Sequence, residues 1–174
     1  MFISGTGYLP GGTAWYRKHF ELPADVHGKR VRVTFGGVYK HARVYINSNH
    51  VGSYAFGYGT FTFDVSEFIR PGENVLAVRV EHDQVADSRW FTGSGIYRDV
   101  TVEISDMRCF KDNGIFVTTR EIADGKAIVN IKYETIDGEA AAFDVVDASG
   151  TVVASGKAEG ESGECDIVVE NPAL

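Results

Sequence analysis

The chain has 174 residues, 44% of them hydrophobic and 24% charged, enough to bury the core of one large domain or two small ones. Its formal charge of -7 gives it no electrostatic reason to seek nucleic acid or an anionic membrane, and a neutral polar partner suits that balance better. No run approaches the roughly 18 apolar residues of a transmembrane helix. The start, Met1-Phe2-Ile3-Ser4-Gly5, lacks the basic and apolar regions of a signal peptide. A chain that begins after a removed leader would read the same, so the compartment stays open, with a periplasmic or extracellular setting favoured over a cytoplasmic one.

Twenty glycines beside eleven Phe and eight Tyr lean towards β structure. From Ala14 to Leu22, Tyr16, Phe20 and Leu22 fall on one face and Trp15, Arg17, His19 and Glu21 on the other, which predicts a half-buried strand ended by Pro23. After a turn at His27-Gly28-Lys29, Val31, Val33 and Phe35 alternate with polar residues until Gly36-Gly37 breaks the run. Ala42, Val44 and Ile46 alternate next, and Asn47 to Gly52 reads as a tight hairpin into a short strand at Val51–Tyr54.

Beyond Phe56-Gly57-Tyr58-Gly59, which predicts a bend, Phe61, Phe63 and Val65 alternate. Asp64 to Ile69 is the one stretch that reads as a helical turn, with Ser66 as its cap and Arg70-Pro71-Gly72 closing it. Leu76, Val78 and Val80 alternate again. Every strong period is two and the connections are too short for helical crossovers, so the expectation is an all-β, antiparallel sandwich.

Between Val80 and Val100 lies a long segment, Asp87-Ser-Arg-Trp-Phe-Thr-Gly-Ser-Gly-Ile-Tyr-Arg-Asp99, dense in aromatic, charged and glycine residues. Such a shaped loop on a rigid β scaffold is the usual place for a binding site. After Ile104 the texture changes. Ser105 to Asp112 reads as a charged connector, and the remainder alternates at Ala127, Val129, Ile131 and Tyr133 and again at Cys165, Ile167 and Val169. Turns are marked by Asp137-Gly138 and Ser149-Gly150. That spacing suggests a second, immunoglobulin-like sandwich with room for roughly six strands, one short of the usual seven. The expected division is residues 1–107 and 108–174.

The ordered blocks Trp15-Tyr16-Arg17-Lys18 with Phe20, Ala42 to Asn47 with Val51-Gly52, Gly57-Tyr58-Gly59 with Phe61 to Val65, Gly72 to Val80, and Ser94-Gly95-Ile96-Tyr97-Arg98-Asp99-Val100 resemble the N-terminal sugar-binding domain of glycoside hydrolase family 2. That family includes β-galactosidases, β-glucuronidases and β-mannosidases, and the likeness covers about residues 5–104. The resemblance implies a jelly-roll-type antiparallel β-sandwich followed by an immunoglobulin-like β-sandwich. Glu170-Asn171-Pro172-Ala173-Leu174 resembles the Asn-Pro-x-Leu-Trp segment before that second domain's last strand, so this domain is expected to be C-terminally truncated. The resemblance also implies a catalytic (β/α)8 barrel outside this chain as intramolecular partner, a β-linked sugar as substrate, contacts in a homo-oligomer, and no cofactor. On that reading the chain alone is inactive.

A retaining glycosidase needs two carboxyl groups roughly 5–5.5 Å apart. Asp83 with Asp87, or Glu81 with Asp83, could be weighed for that work, but charges on strand faces and loops are more often simply solvated, and no catalytic residue is expected in this chain. The five histidines, His19, His27, His41, His50 and His82, show no metal-ligand spacing, and Cys109 and Cys165 make neither a disulfide framework nor a metal cluster.

In the family, the loop at Asp87–Tyr97 leans over the barrel mouth and lends a polar group to a sugar subsite. Several members carry an Asp five residues before the position of Ser94, where this chain has Arg89. It thereby resembles the subgroup reading Ser-Arg-Trp-Tyr/Phe, which implies substrate-binding roles for Arg89, Trp90 and Asp87. A guanidinium offers five donors to hydroxyl oxygens, and an indole face can stack on the C–H face of a pyranose. The bland alternative pairs Arg89 with Asp87 or Asp83 and lets Trp90 plug the sandwich end. The competing functions are an independent carbohydrate-binding module and a structural or adhesive β-sandwich.

Overall fold

The computed structural model describes residues 11–83 and 88–172, and its contacts divide the chain into two units, Met1–Ser105 and Asp106–Leu174. The described residues are all-β, apart from one short 3-10 turn.

In the first unit the strands are β1 (Gly12–Leu22), β2 (Arg30–Phe35), β3 (Val38–Tyr39), β4 (Ala42–Ile46), β5 (Asn49–Tyr54), β6 (Phe61–Asp64), β7 (Gly72–His82), β8 (Gly95–Ile96) and β9 (Val100–Ser105). They form a four-stranded sheet in the order β1-β7-β4-β5, a three-stranded sheet β6-β2-β9, and the short pair β3-β8. All pairings are antiparallel. The alternating residues of both larger sheets meet in one interior, built from Val31, Val33, Phe35 and Phe61 on one side and Val44, Ile46, Leu76, Val78 and Val80 on the other. This is the expected jelly-roll-type sandwich.

The hairpin between β4 and β5 is tighter than its sequence suggests. Asn47 and Ser48 both have positive φ, 49° and 72°, the twist that a two-residue turn requires. The stretch after β6 is a single turn rather than a helix, closed by Phe68 N donating to Val65 O at 2.9 Å. Its capping group is Asp64, whose Oδ1 accepts from Ser66 N at 3.1 Å, while Ser66 Oγ accepts from Val31 N at 2.9 Å and so ties the turn to β2. The 3-10 turn lies elsewhere, at Ala24–Val26, where it buries Val26 after Pro23.

The second unit contains β10 (Cys109–Ala123), β11 (Lys126–Ile136), β12 (Ala140–Val146), β13 (Val152–Glu159) and β14 (Ser162–Glu170), five strands among the described residues. They make a sheet β10-β11-β14 and a pair β12-β13. Part of the expected connector is strand, because β10 begins at Cys109, and its register shifts between Phe110 and Ile115, where Asn113 has φ 55°. Asp124-Gly125, with φ of 50° and 73°, makes the sharp return from β10 to β11. Gly156 on β13 lies so close to β14 that a Cβ there would stand 2.6 Å from Cys165 Sγ, which presses the pair β12-β13 against the sheet. Cys109 and Cys165 form no disulfide.

Candidate functional site

The loop after β7 returns to the sheet through Gly93 and Gly95, with φ of 72° and 86°. These positive values account for glycine at both positions. At Gly95 a Cβ would stand 2.0 Å from the Tyr16 hydroxyl, so the close approach demands glycine as well. Beyond it, β8 pairs with β3, Val38 opposite Ile96 and Tyr39 opposite Gly95.

The segment from Ser88 is folded on itself. Ser88 Oγ donates to Trp90 O at 2.6 Å and accepts from Trp90 N at 3.3 Å. This local turn leaves Arg89 exposed, with no hydrogen bond or ion pair among the described residues. Trp90 is 60% exposed, so it does not plug the end of the sandwich. Its indole Nε1 donates to Tyr58 Oη at 3.0 Å, which fixes the ring while its face stays in water. Asp87 lies outside the described residues. Asp83 is exposed, and Glu81 forms an ion pair with Arg79, so Glu81 and Asp83 do not make a free carboxylate pair.

Tyr58 brings a second loop into the site. Phe56 and Tyr58 stand edge to face at 5.9 Å between ring centres, and Tyr58 tilts over Tyr39 at 5.3 Å. Tyr39 is nearly buried and meets His82 edge-on at 5.0 Å, while His82 Nδ1 lies 3.2 Å from Ser94 Oγ. Tyr97 Oη donates to Gly57 O at 2.8 Å. Glycines permit this stacking: a Cβ at Gly57 would stand 2.2 Å from the Tyr39 ring, and one at Gly37 2.5 Å from the Tyr97 ring.

The result is an aromatic end of the sandwich, with Phe56, Tyr58, Trp90, Phe91 and Tyr97 all presenting surface to solvent. Exposed apolar rings clustered at one place mark an interaction site more often than chance. Sequence reasoning singles out Arg89 and Trp90 but misses Tyr39, Phe56, Tyr97 and His82. The flanking glycines at 57 and 59 are the one local signal that Tyr58 belongs with them.

Arg98 packs on the aromatic end as well. Its guanidinium lies over the Tyr97 ring at 5.6 Å, while the Asp99 carbonyl accepts from Gly36 N at 2.9 Å and anchors the loop's return. Among the described residues no group of His, Cys, Asp and Glu is placed to hold a metal. The arrangement offers donors and ring faces, which suits binding of a hydroxyl-rich ring.

Residues 8–106 match the model of the family described as glycosyl hydrolases family 2, sugar binding domain. The chain is 34% identical over 166 residues to the β-galactosidase BoGH2A of Bacteroides ovatus, covering 91% of this chain and 20% of that protein. It is 34% identical over 170 residues to a β-glucuronidase of Formosa agariphila, covering 82% of this chain and 17% of that one. A crystal structure of a glycosyl hydrolase family 2 member from Bacteroides cellulosilyticus superposes with a TM-score of 0.82 at 34% identity, over 94% of this chain and 24% of that chain. The chain thus spans about a fifth of the length of the curated relatives it matches. A family model that covers more than half of the chain and nearly all of the first unit, with relatives of this identity extending into the second, places the chain in glycoside hydrolase family 2, whose sugar-binding domain it carries at residues 8–106.

Proposed function

We propose that this chain is the non-catalytic N-terminal part of a family 2 glycoside hydrolase that cleaves terminal β-galactoside-type bonds, and that its aromatic end forms one wall of the sugar pocket. The observation that carries the reading is the Arg89–Trp90 pair: an exposed guanidinium beside an exposed indole that Tyr58 holds by one hydrogen bond. Arg89 donates to sugar hydroxyls, Trp90 stacks on the ring's C–H face, and Asp87 accepts a hydrogen bond from a sugar hydroxyl. The domain division at residues 107/108 separates this sugar-binding sandwich from an immunoglobulin-like one, and a (β/α)8 barrel supplies the two carboxylates that the reaction needs. The likeness to a β-galactosidase supports the galactoside; the equal likeness to a β-glucuronidase makes the uronide its competitor.

In the whole enzyme, Arg89→Ala should lower kcat/KM for an aryl β-galactoside at least tenfold, and the aryl β-glucuronide should be the poorer substrate. An unchanged kcat/KM would overturn the role of the loop, and a preference for the glucuronide would overturn the sugar. The exposed ring cluster also favours a second reading, an independent carbohydrate-binding module. Calorimetric titration of this chain with lactose decides it: millimolar binding lost in Arg89→Ala supports the module, and no heat supports the pocket wall.

A further inference from the structure

The core side of β7 is taken by Leu76, Val78 and Val80, so Val75, Ala77 and Arg79 face away from the interior. Pairing places His19, Arg17 and Trp15 of β1 beside them, and Tyr45 and Arg43 of β4 opposite Ala77 and Arg79. Ala77 and Val75 are the small residues of this outer face, and they leave a trough between β1 and β4. The trough encloses about 720 Å3 and is lined by Trp15, Arg17, His19, Tyr45, Arg70 and Ala77 among others. That volume falls within the roughly 300–1,000 Å3 of small-ligand sites.

Two features distinguish this trough from an ordinary solvated face. Trp15 is 57% exposed on an edge strand, and its ring tilts by 37° against Tyr45 at 5.6 Å, so two aromatic faces stand over a flat aliphatic floor. The charge is cationic, on a chain whose net charge is -7. Arg17 lines the trough and Arg43 stands one rung beyond Tyr45, in the neighbouring hollow; both are exposed and have no ion pair among the described residues. The Arg70 side chain donates its Nε to Glu73 O, at 3.0 Å, and among the described residues its terminal nitrogens have no partner. The nearby acids are mostly engaged: Glu73 lies 2.8 Å from His19 Nδ1, and Glu81 pairs with Arg79, leaving Glu21 one rung beyond the trough.

We propose that this outer sheet face is a second saccharide site, distinct from the aromatic end, and that it takes an acidic oligosaccharide, one carrying carboxylate or sulfate. Trp15 and Tyr45 stack on the C–H faces of the sugar rings, and Arg17, Arg43 and Arg70 take the anionic substituents by charge-assisted hydrogen bonds. A second copy of the chain fits less well, because a two-fold contact centred on the trough would bring two copies of its arginine-lined surface together. The site does not depend on the role given to Arg89, and it bears on retention of a polymeric substrate rather than on the cleaved bond.

The test is a titration of the 15N-labelled 174-residue chain at low salt with three tetrasaccharides: oligogalacturonate, a sulfated galactan and a neutral galactan. The two indole N–H resonances are assigned from Trp15→Phe. The Trp15 resonance should move with one or both acidic sugars while that of Trp90 stays. Calorimetry should give a Kd at least tenfold weaker for the neutral sugar, and tenfold weaker for Arg17→Gln and Trp15→Ala with the remaining spectrum unchanged. Raising NaCl from 50 to 500 mM should weaken binding several-fold, since screening acts on exposed charges. Which acidic sugar binds then tells carboxylate from sulfate. The proposal fails if neither acidic sugar binds, if the neutral one binds equally, if only Trp90 shifts, or if sedimentation shows a dimer that Trp15→Ala dissolves.

Discussion

In the first unit β2, β4 and β7 send Val31, Val33, Phe35, Val44, Ile46, Val78 and Val80 into one interior, and Arg32 and Asn74 are the buried polar residues of these strands. In the second unit the partition is looser. Ile115, Phe116 and Val117 are exposed in succession on β10, and the buried set is Ala127, Ile131, Tyr133, Ala141, Ile167 and Val169. Polar bonds carry more of the cross-strand register there. Tyr133 Oη donates to the carbonyls of Glu159 and Gly160 at 3.0 and 3.2 Å, Thr135 Oγ1 donates to Glu161 O at 2.8 Å, and Arg120 bridges Glu164 and Asp166. Exposed ion pairs of that kind are worth at most about 1 kcal/mol each. One unit is specified by packing and the other by directional bonds laid over a smaller core.

The largest expected effect tests the packed side. Phe35 is fully buried and stacks on Phe61 at 4.9 Å, so Phe35→Ala should cost about 3–5 kcal/mol in urea denaturation. A loss under about 1 kcal/mol would mean that the interior collapses around the gap, and the contrast with the second unit would dissolve. The directional side is tested by Tyr133→Phe, which keeps the ring and removes one donor serving two carbonyls. It should cost about 0.5–1.5 kcal/mol, read as faster amide exchange in β11 and in the turn after β13. No change in exchange would show that the ring, packed against Phe143, does the holding alone.

How far the sequence discloses each region follows from the same contrast. Period-two alternation at Val31–Phe35, Ala42–Ile46 and Leu76–Val80 is a local signal with one buried face, so strands and core are readable together. Asn74 is not readable that way. It is fully buried, yet its Nδ2 donates to Arg70 O and Gly72 O, and its Oδ1 accepts from Arg70 N and from Asn47 Nδ2, a partner 27 residues away. The site divides likewise. Arg89 and Trp90 stand out as bulky residues in a glycine-bounded loop, but the hydrogen bond from Trp90 to Tyr58 spans 32 residues and exists only once β5, β6 and β7 are assembled. The turn after Asp64 reads as capped by Ser66, but Asp64 caps it and Ser66 Oγ accepts from β2, a tertiary contact that overrides a local preference.

The smallest effect separates the two units by the physics of one carboxyl in each. Burial pushes the Asp64 carboxyl up, but hydrogen bonds from Arg30 and Ser66, with the Arg30 charge, more than offset it and hold the group below its ordinary value of 3.8. Asp147 is held below the same value chiefly by the Ser149 hydroxyl and the amides of Thr151 and Ser149, without a cation. Each is depressed in the folded state, so each contributes stability that is present above about pH 4 and is lost as pH falls through its lower folded value. The difference lies in salt. In carboxyl-detected NMR titrations, 0.5 M NaCl should raise the Asp64 midpoint towards 3.8, because its Arg30 partner at 2.8 Å is partly exposed and screened. The Asp147 midpoint should stay, since neutral donors do not respond to ionic strength in that way. Equal shifts in the two would mean that the Arg30 charge contributes nothing that the turn's own hydrogen bonds do not, and Arg30→Gln would then leave the Asp64 midpoint where it was.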